Sequence, residues 1–148
     1  IGGKDAYTVA DSERRKIYGC VEQSSHMVPG SIRDQITLFD REISDEDVVR
    51  AAKLVGLDDT IRSFENGYDT PCTPSMLSQG QWQLLSIARA VAADPRILLL
   101  DEITANLDAE TEEKVLEALK RASASRTVLS ISHRLFEHTG GRIINIAP

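Results

Sequence analysis

Ile97-Leu98-Leu99-Leu100-Asp101-Glu102 is the stretch on which the fold turns. Four aliphatic residues in unbroken succession form the pattern of a strand buried on both faces, as in a parallel sheet. Two carboxylates close the run. In open α/β sheets, ligand crevices form beyond the carboxyl ends of the strands, so Asp101 and Glu102 stand where a bound group would be met. Taken alone, the same six residues are a strand followed by an acidic turn.

The flanking sequence supplies the other elements of such a sheet. Before Pro95, Leu84, Leu85, Ala88, Val91 and Ala92 share one stripe of a long helix that starts after Ser78. After the strand, Asp108 begins another helix. Its first turns hold Glu110, Glu112 and Glu113 and its end holds Lys120 and Arg121, which complements the helix dipole. Residues 127–132 and 142–146 read as further strands. Near the start, a short polar helix is expected from Asp11 and a strand over 17–21. Pro29-Gly30 breaks the chain, Ser44 with Asp47 marks a helix start, and Val48, Val49, Ala52 and Val55 fall on one face up to Gly56. A second short helix is expected after Leu57 and a turn at Asn66-Gly67. The pattern predicts an α/β layer with a helical insertion.

Composition narrows the function classes. With 148 residues the chain has room for one domain, and 41% hydrophobic with 27% charged residues is a globular balance. A net charge of −6 argues against a nucleic-acid-binding surface. No apolar run approaches the roughly 20 residues needed to cross a bilayer, so the chain is expected to be soluble by itself. Cys20 and Cys72 lie far apart without metal-ligand spacing and read as reduced thiols. The chain begins at Ile1 rather than Met, from which a preceding segment is expected.

Several residues carry potential chemistry. Asp101 could hold Mg²⁺, largely through water, and Glu102 could polarise an attacking water. Ser78 is first a helix N-cap worth about 1 kcal/mol; with the amides near Gly80 it also presents a helix start to an anion. His133 follows an apolar strand, from where an imidazole can bond a phosphate. Gln23 follows another strand, and Asp108 reads as an N-cap. No Gly-x-x-x-x-Gly-Lys-Ser/Thr string, the loop that would cradle phosphates, occurs in the 148 residues.

Together these residues resemble the ATP-binding cassette (ABC) family along nearly the whole chain. Val21-Glu22-Gln23 resembles its Q-loop, Leu77-Ser78-Gln79-Gly80-Gln81 its signature, and the stretch from Ile97 to Glu102 its Walker B strand with the catalytic glutamate. Ala105-Asn106-Leu107-Asp108 resembles the D-loop and Ser132-His133-Arg134 the switch-histidine loop. Ser31-Ile32-Arg33-Asp34-Gln35-Ile36 and Gly67-Tyr68-Asp69-Thr70-Pro71 are similar to cassettes fused to exporter-type membrane domains. The resemblance implies an α/β fold: a partial P-loop NTPase (RecA-like) core, residues 1–23 and 94–148, and a helical subdomain over 24–93. It implies ATP and Mg²⁺ as ligands, with Gln23 and Asp101 toward the metal, and Glu102, His133 and Gln23 in catalysis. Ser78, Gly80, Gln81 and Asp108 would meet the nucleotide and interface of a second, head-to-tail cassette.

The implied role is the ATPase part of an exporter-type transporter at the cytoplasmic face of a membrane, partnered by its transmembrane domain. Three departures stand out. Gln79 replaces a glycine of the signature, Cys72-Thr73-Pro74-Ser75-Met76 lacks the usual Gly-Glu-x-Gly, and the phosphate loop is missing. The isolated chain is therefore expected to be inactive or weakly active, and to self-associate through an unpaired sheet edge. The alternative is a degenerate, non-catalytic cassette acting as a scaffold. A DNA-repair or chromosome-structure cassette fits the acidic charge poorly.

Overall fold

The computed structural model describes residues 3, 5, 8–22, 26–101, 103 and 107–131. Its elements run α1 (Asp11–Ile17), β1 (Tyr18–Val21), α2 (Ile32–Thr37), α3 (Asp45–Val55), α4 (Asp58–Ser63), a 3₁₀ turn (Gly67–Asp69), α5 (Gln79–Val91), β2 (Ile97–Asp101), α6 (Ala109–Ser123) and β3 (Thr127–Ile131). The three strands form one parallel sheet in the order β1-β2-β3, with Gly19 opposite Leu98, Leu98 opposite Val128, and Asp101 opposite Ile131. This is the expected α/β architecture with a helical block between the first two strands. The expected strand over 142–146 lies outside the described residues.

Local chemistry sets the element boundaries. Ser31, Ser44 and Ser78 each accept a hydrogen bond from the third helical amide, and the side chains of Asp34, Asp47 and Gln81 reach back to the cap amides. Three helices thus start with complete capping boxes. Helix α3 ends at Gly56, which takes the left-handed conformation at φ 78° without a Cβ penalty. Ile17 closes α1 instead of opening β1, so that strand starts one residue later than its apolar pattern suggests.

Helix α5 is the hub. Leu85, Ile87, Ala88, Val91 and Ala90 are buried, as are Gly80, Gln83 and Ser86, so burial extends well beyond the predicted stripe. The helix has neighbours on several sides: α2, α3, α6 and β1 all pack on it. Val48, Ala51, Ala52 and Val55 of α3 and Val115, Ala118, Leu119 and Ala122 of α6 join the same core. Each fully buried Val, Leu or Ile in such a cluster contributes roughly 1.5–3 kcal/mol over leaving it exposed.

Strand β2 is buried on one face only. Leu98 and Leu100 are covered, with Gly19 and Val21 beside them, whereas Ile97 and Leu99 are half-exposed. The sequence reading of a strand buried on both faces is corrected accordingly. Leu129 and Ile131 lie on that second, open face and are 58% and 67% exposed. Four aliphatics in a row mark a strand made for two covers, and the described residues supply one.

Gly19 shows how closely the layers approach. A methyl group there would drive into the Ala90 carbonyl oxygen, with its carbon at 2.9 Å and Cα at 3.2 Å. Backbone cannot swing aside as a side-chain tip can. We expect Gly19→Ala to destabilise the chain by about 1–3 kcal/mol, read as a lower urea midpoint. An unchanged midpoint would mean that α5 can withdraw from the sheet.

Candidate functional site

Parallel pairing in register brings the carboxyl ends of β1, β2 and β3, at Val21, Asp101 and Ile131, to one edge of the sheet. Asp101 is exposed there. Gln23, Glu102 and His133 lie outside the described residues; in the sequence they follow those strand ends by two, one and two positions. The edge is electronegative. The Cys20 thiol is pushed above its ordinary value, first by desolvation and then by the charges of Glu22 and Asp101. Among the described residues no group of three or more His, Cys, Asp or Glu is arranged to hold a metal. One exposed carboxylate at a strand end nevertheless suits a hydrated Mg²⁺, which takes one or two protein oxygens and keeps water and phosphate as its other ligands.

A second group of candidates gathers at the start of α5. The Ser78 hydroxyl accepts from the Gln81 amide at 3.2 Å, and the Ser78 amide donates to Gln81 Oε1 at 2.9 Å. Gln81 is thereby committed to the cap through its oxygen, while the Ser78 hydroxyl keeps its proton to donate. Gln79, the departure from the expected glycine, is exposed and takes no positive φ. Its backbone needs no glycine. Gly80 is buried against Thr111 of α6. Thr111 in turn bonds Asp108 twice, its amide to Oδ1 at 3.0 Å and its hydroxyl to Oδ2 at 2.7 Å. These bonds hold the Asp108 carboxyl below the ordinary aspartate range. Ser78, Gly80, Gln81 and Asp108 are thus brought together through one contact between two helix starts.

The segment leading to Ser78 is fixed in a strap across α2. Ile32 donates to the Thr70 carbonyl at 3.0 Å, Cys72 donates to that of Gly30 at 2.8 Å, and the Trp82 indole donates to Pro74 at 3.1 Å. Tyr68 anchors the strap: its buried hydroxyl donates to Asp58 at 2.7 Å, and Arg62 donates to the same carboxylate at 2.9 Å while lying over the Tyr68 ring. Burial pushes the Asp58 carboxyl up, but these two partners outweigh it and leave the group below its ordinary value.

A family model described as ABC transporter matches residues 1–105. The chain belongs to the ABC transporter family. It is 44% identical over 137 residues to a protein of Bacillus subtilis named uncharacterized ABC transporter ATP-binding protein YfiC, covering 91% of this chain and 23% of that protein. To the mycobactin import ATP-binding/permease protein IrtA of Mycolicibacterium smegmatis it is 41% identical over 154 residues, 97% of this chain and 18% of that protein. To the mitochondrial potassium channel ATP-binding subunit of Homo sapiens it is 42% identical over 147 residues, 97% and 20%. The chain spans about a fifth of the length of these curated relatives. No helix among the described residues is long and apolar enough to cross a membrane.

Sequence reasoning missed three features. Thr111, which joins Gly80 to Asp108, sits three residues after the Asp108 cap in the spacing of a capping interaction, the one signal that could have found it. The carbonyl partners of Arg15 and Arg89 carry no local sequence signal, although Arg89 lies in the string Ser86-Ile87-Ala88-Arg89-Ala90 that continues the signature. Arg89 donates to the Gln35 carbonyl at 2.6 Å and to that of His26 at 3.0 Å; Arg15 donates to Thr37, and to Ile36 and Arg89 at 3.1 Å. They wall a groove of about 760 Å³ between α1, the end of α2 and the end of α5. At its rim Leu38 and Phe39 both take left-handed backbone, φ 52° and 63°, and Phe39 is 60% exposed. Such a pair costs roughly 1–2 kcal/mol per residue, and nothing in the sequence announces it.

The Tyr68 anchor gives a pH-dependent prediction. A carboxyl held below its ordinary value contributes stability that is complete above the unfolded aspartate pKa, about 3.9, and is lost as pH falls through the folded value. Tyr68→Phe should cost about 1–2 kcal/mol near neutral pH. Denaturation curves of the two proteins should converge in acid, as Asp58 takes up its proton. A gap that stays constant into strong acid would mean that Asp58 is not the partner that matters.

Proposed function

We propose that this chain is the C-terminal part of the ATPase domain of an exporter-type ABC transporter, with residues 1–23 and 94–148 in its core layer and 24–93 in its helical subdomain. The observation that carries this is the convergence of three parallel strand ends on one edge, each preceding a polar residue of the family's motifs. Gln23 and Asp101 would face Mg²⁺ and its water shell. Bound Mg²⁺ would neutralise charge on the phosphate oxygens. Glu102 would take the proton of the attacking water as it displaces ADP from the γ-phosphoryl group, and His133 would donate a hydrogen bond to that group. Ser78, with its free hydroxyl proton, and the amides at Gly80 would meet the nucleotide of a second cassette, and Asp108 would lie between the two.

Partners follow from the surface. The groove beside Arg15 and Arg89, rimmed by exposed Leu38 and Phe39, lies where α1 of the core layer meets the helical block and would receive the cytoplasmic side of a transmembrane domain. An apolar rim on an otherwise polar groove supports a protein partner there. A second reading, a cassette that only donates its signature face, has one observation in its favour. The Ser78, Gly80 and Asp108 arrangement is complete in α5 and α6 and needs no phosphate loop.

The test is phosphate release from MgATP by the 148-residue chain. We expect no turnover above that of Glu102→Gln, because no loop in these residues can cradle the β- and γ-phosphates; turnover that vanishes in Glu102→Gln would overturn this. Among the described residues β3 pairs on one side only and has an exposed face, which should also drive association, so sedimentation coefficients should rise with concentration. A monomer at every concentration would count against it.

A further inference from the structure

We infer that Thr111 is a positioning residue that locks the first turn of α5 to Asp108, and that Gly80 is glycine because the Thr111 methyl group occupies the space of a Cβ. This rests on the reading of Ser78, Gly80 and Asp108 as surfaces presented to a second cassette. That reading alone would explain Gly80 differently, as room for a phosphate to approach the backbone.

The geometry singles out one atom. A Cβ built on Gly80 would fall inside contact distance of Thr111 Cγ2, while Thr111 Cβ and Oγ1 stay at the ordinary separations of 3.6 and 3.7 Å. Those three atoms are the nearest to the position, and all belong to Thr111. A threonine could rotate about χ1 to make room, but this one is not at liberty. Its hydroxyl donates to Asp108 Oδ2 at 2.7 Å, so the rotamer that points the methyl at Gly80 is the one that serves Asp108. Relief of the clash therefore requires either displacement of α5 or loss of the Asp108 bond. The consequence is mechanical: the cap at Ser78 and the carboxylate at Asp108 keep a fixed spacing, set by one side chain between them.

The sign of a single substitution separates the two explanations. In a helix, alanine is ordinarily favoured over glycine, so Gly80→Ala at an unobstructed site raises the melting temperature. With Thr111 in the way, Gly80→Ala should lower it by roughly 5 °C. Thr111→Ser removes only Cγ2 and retains the hydroxyl. It should behave close to wild type alone, and in the Gly80→Ala background it should restore the melting temperature.

A second readout reports position rather than stability: the pH at which the Asp108 carboxyl carbon titrates by NMR in the full chain. The charged neighbours Glu110, Glu112 and Lys114 on α6 are the same in every variant, and the first turn of α5 carries no charge. Titration should stay low in wild type and Thr111→Ser, move up in Gly80→Ala, and return in the double variant. A stabilising Gly80→Ala, or a double variant no better than the single with Asp108 unmoved throughout, would overturn the lock. Neither readout involves nucleotide. Rescue in the double variant therefore supports the lock whether or not the cassette reading holds, and failure of rescue overturns the lock while leaving that reading untouched.

Discussion

Everything else in the molecule is arranged around the close approach of β1 to α5, where Gly19 lies directly against the Ala90 backbone. At such a distance the helix and the sheet have no intervening side chain, so their relative placement has little slack. The other helices then take their positions from α5, which α2, α3 and α6 all touch. Because α5 begins at Ser78, the constraint at one end of the helix also fixes where the candidate ligand-facing cap lies at the other. A helix of 13 residues spans about 20 Å at 1.5 Å per residue, and over that length it carries a packing constraint to a functional surface.

Arginines do more for this arrangement than ion pairs do. The exposed pairs, such as Lys114 with Glu110 and Lys16 with Glu42, are screened by solvent and contribute little. By contrast, Arg15, Arg89, Arg50, Arg121 and Arg126 all donate to backbone carbonyls, many of them at the ends of α2, α3 and α5 or just beyond. Helix ends leave carbonyls without intrahelical partners, and a guanidinium with five donors can satisfy several at once. Burial depresses the basicity of Arg15 and Arg89, and Arg89 also feels the charge of Arg15. That two guanidiniums are tolerated so near each other shows how much their carbonyl partners, with Asp40 beside Arg15, offset.

The fold was legible in the sequence wherever the signal is local. Ser44 with Asp47 and Asp108 marked their helix starts because caps are short-range chemistry. The aliphatic run ending at Asp101 marked the central strand because burial writes itself into composition. What stayed hidden depends on pairs distant in the chain. Gly80 and Thr111 are neighbours only once α5 and α6 are packed, and Arg15 meets Arg89 only across the groove. The left-handed pair at Leu38 and Phe39 contradicts local propensity, which favours glycine or asparagine there, so no reading of residue types could supply it. The error at Ile97 and Leu99 was of another kind: the aliphatic run correctly reports a strand suited to two covered faces, but the cover over one face is not something the run itself can provide.

That open face bears directly on the site. Leu99 and Leu129 lie on it, and Ile131, opposite Asp101, carries it to the strand ends. A segment packed over these side chains would remove roughly 25 cal/mol of unfavourable solvation for every Å² of apolar surface covered. It would also stand next to the edge where Asp101 is exposed. Stability and ligand chemistry are therefore not separate requirements at this edge. A segment covering Leu129 and Ile131 would also shield Asp101 from water, lowering the effective dielectric beside it and strengthening the electrostatics of any phosphate held there.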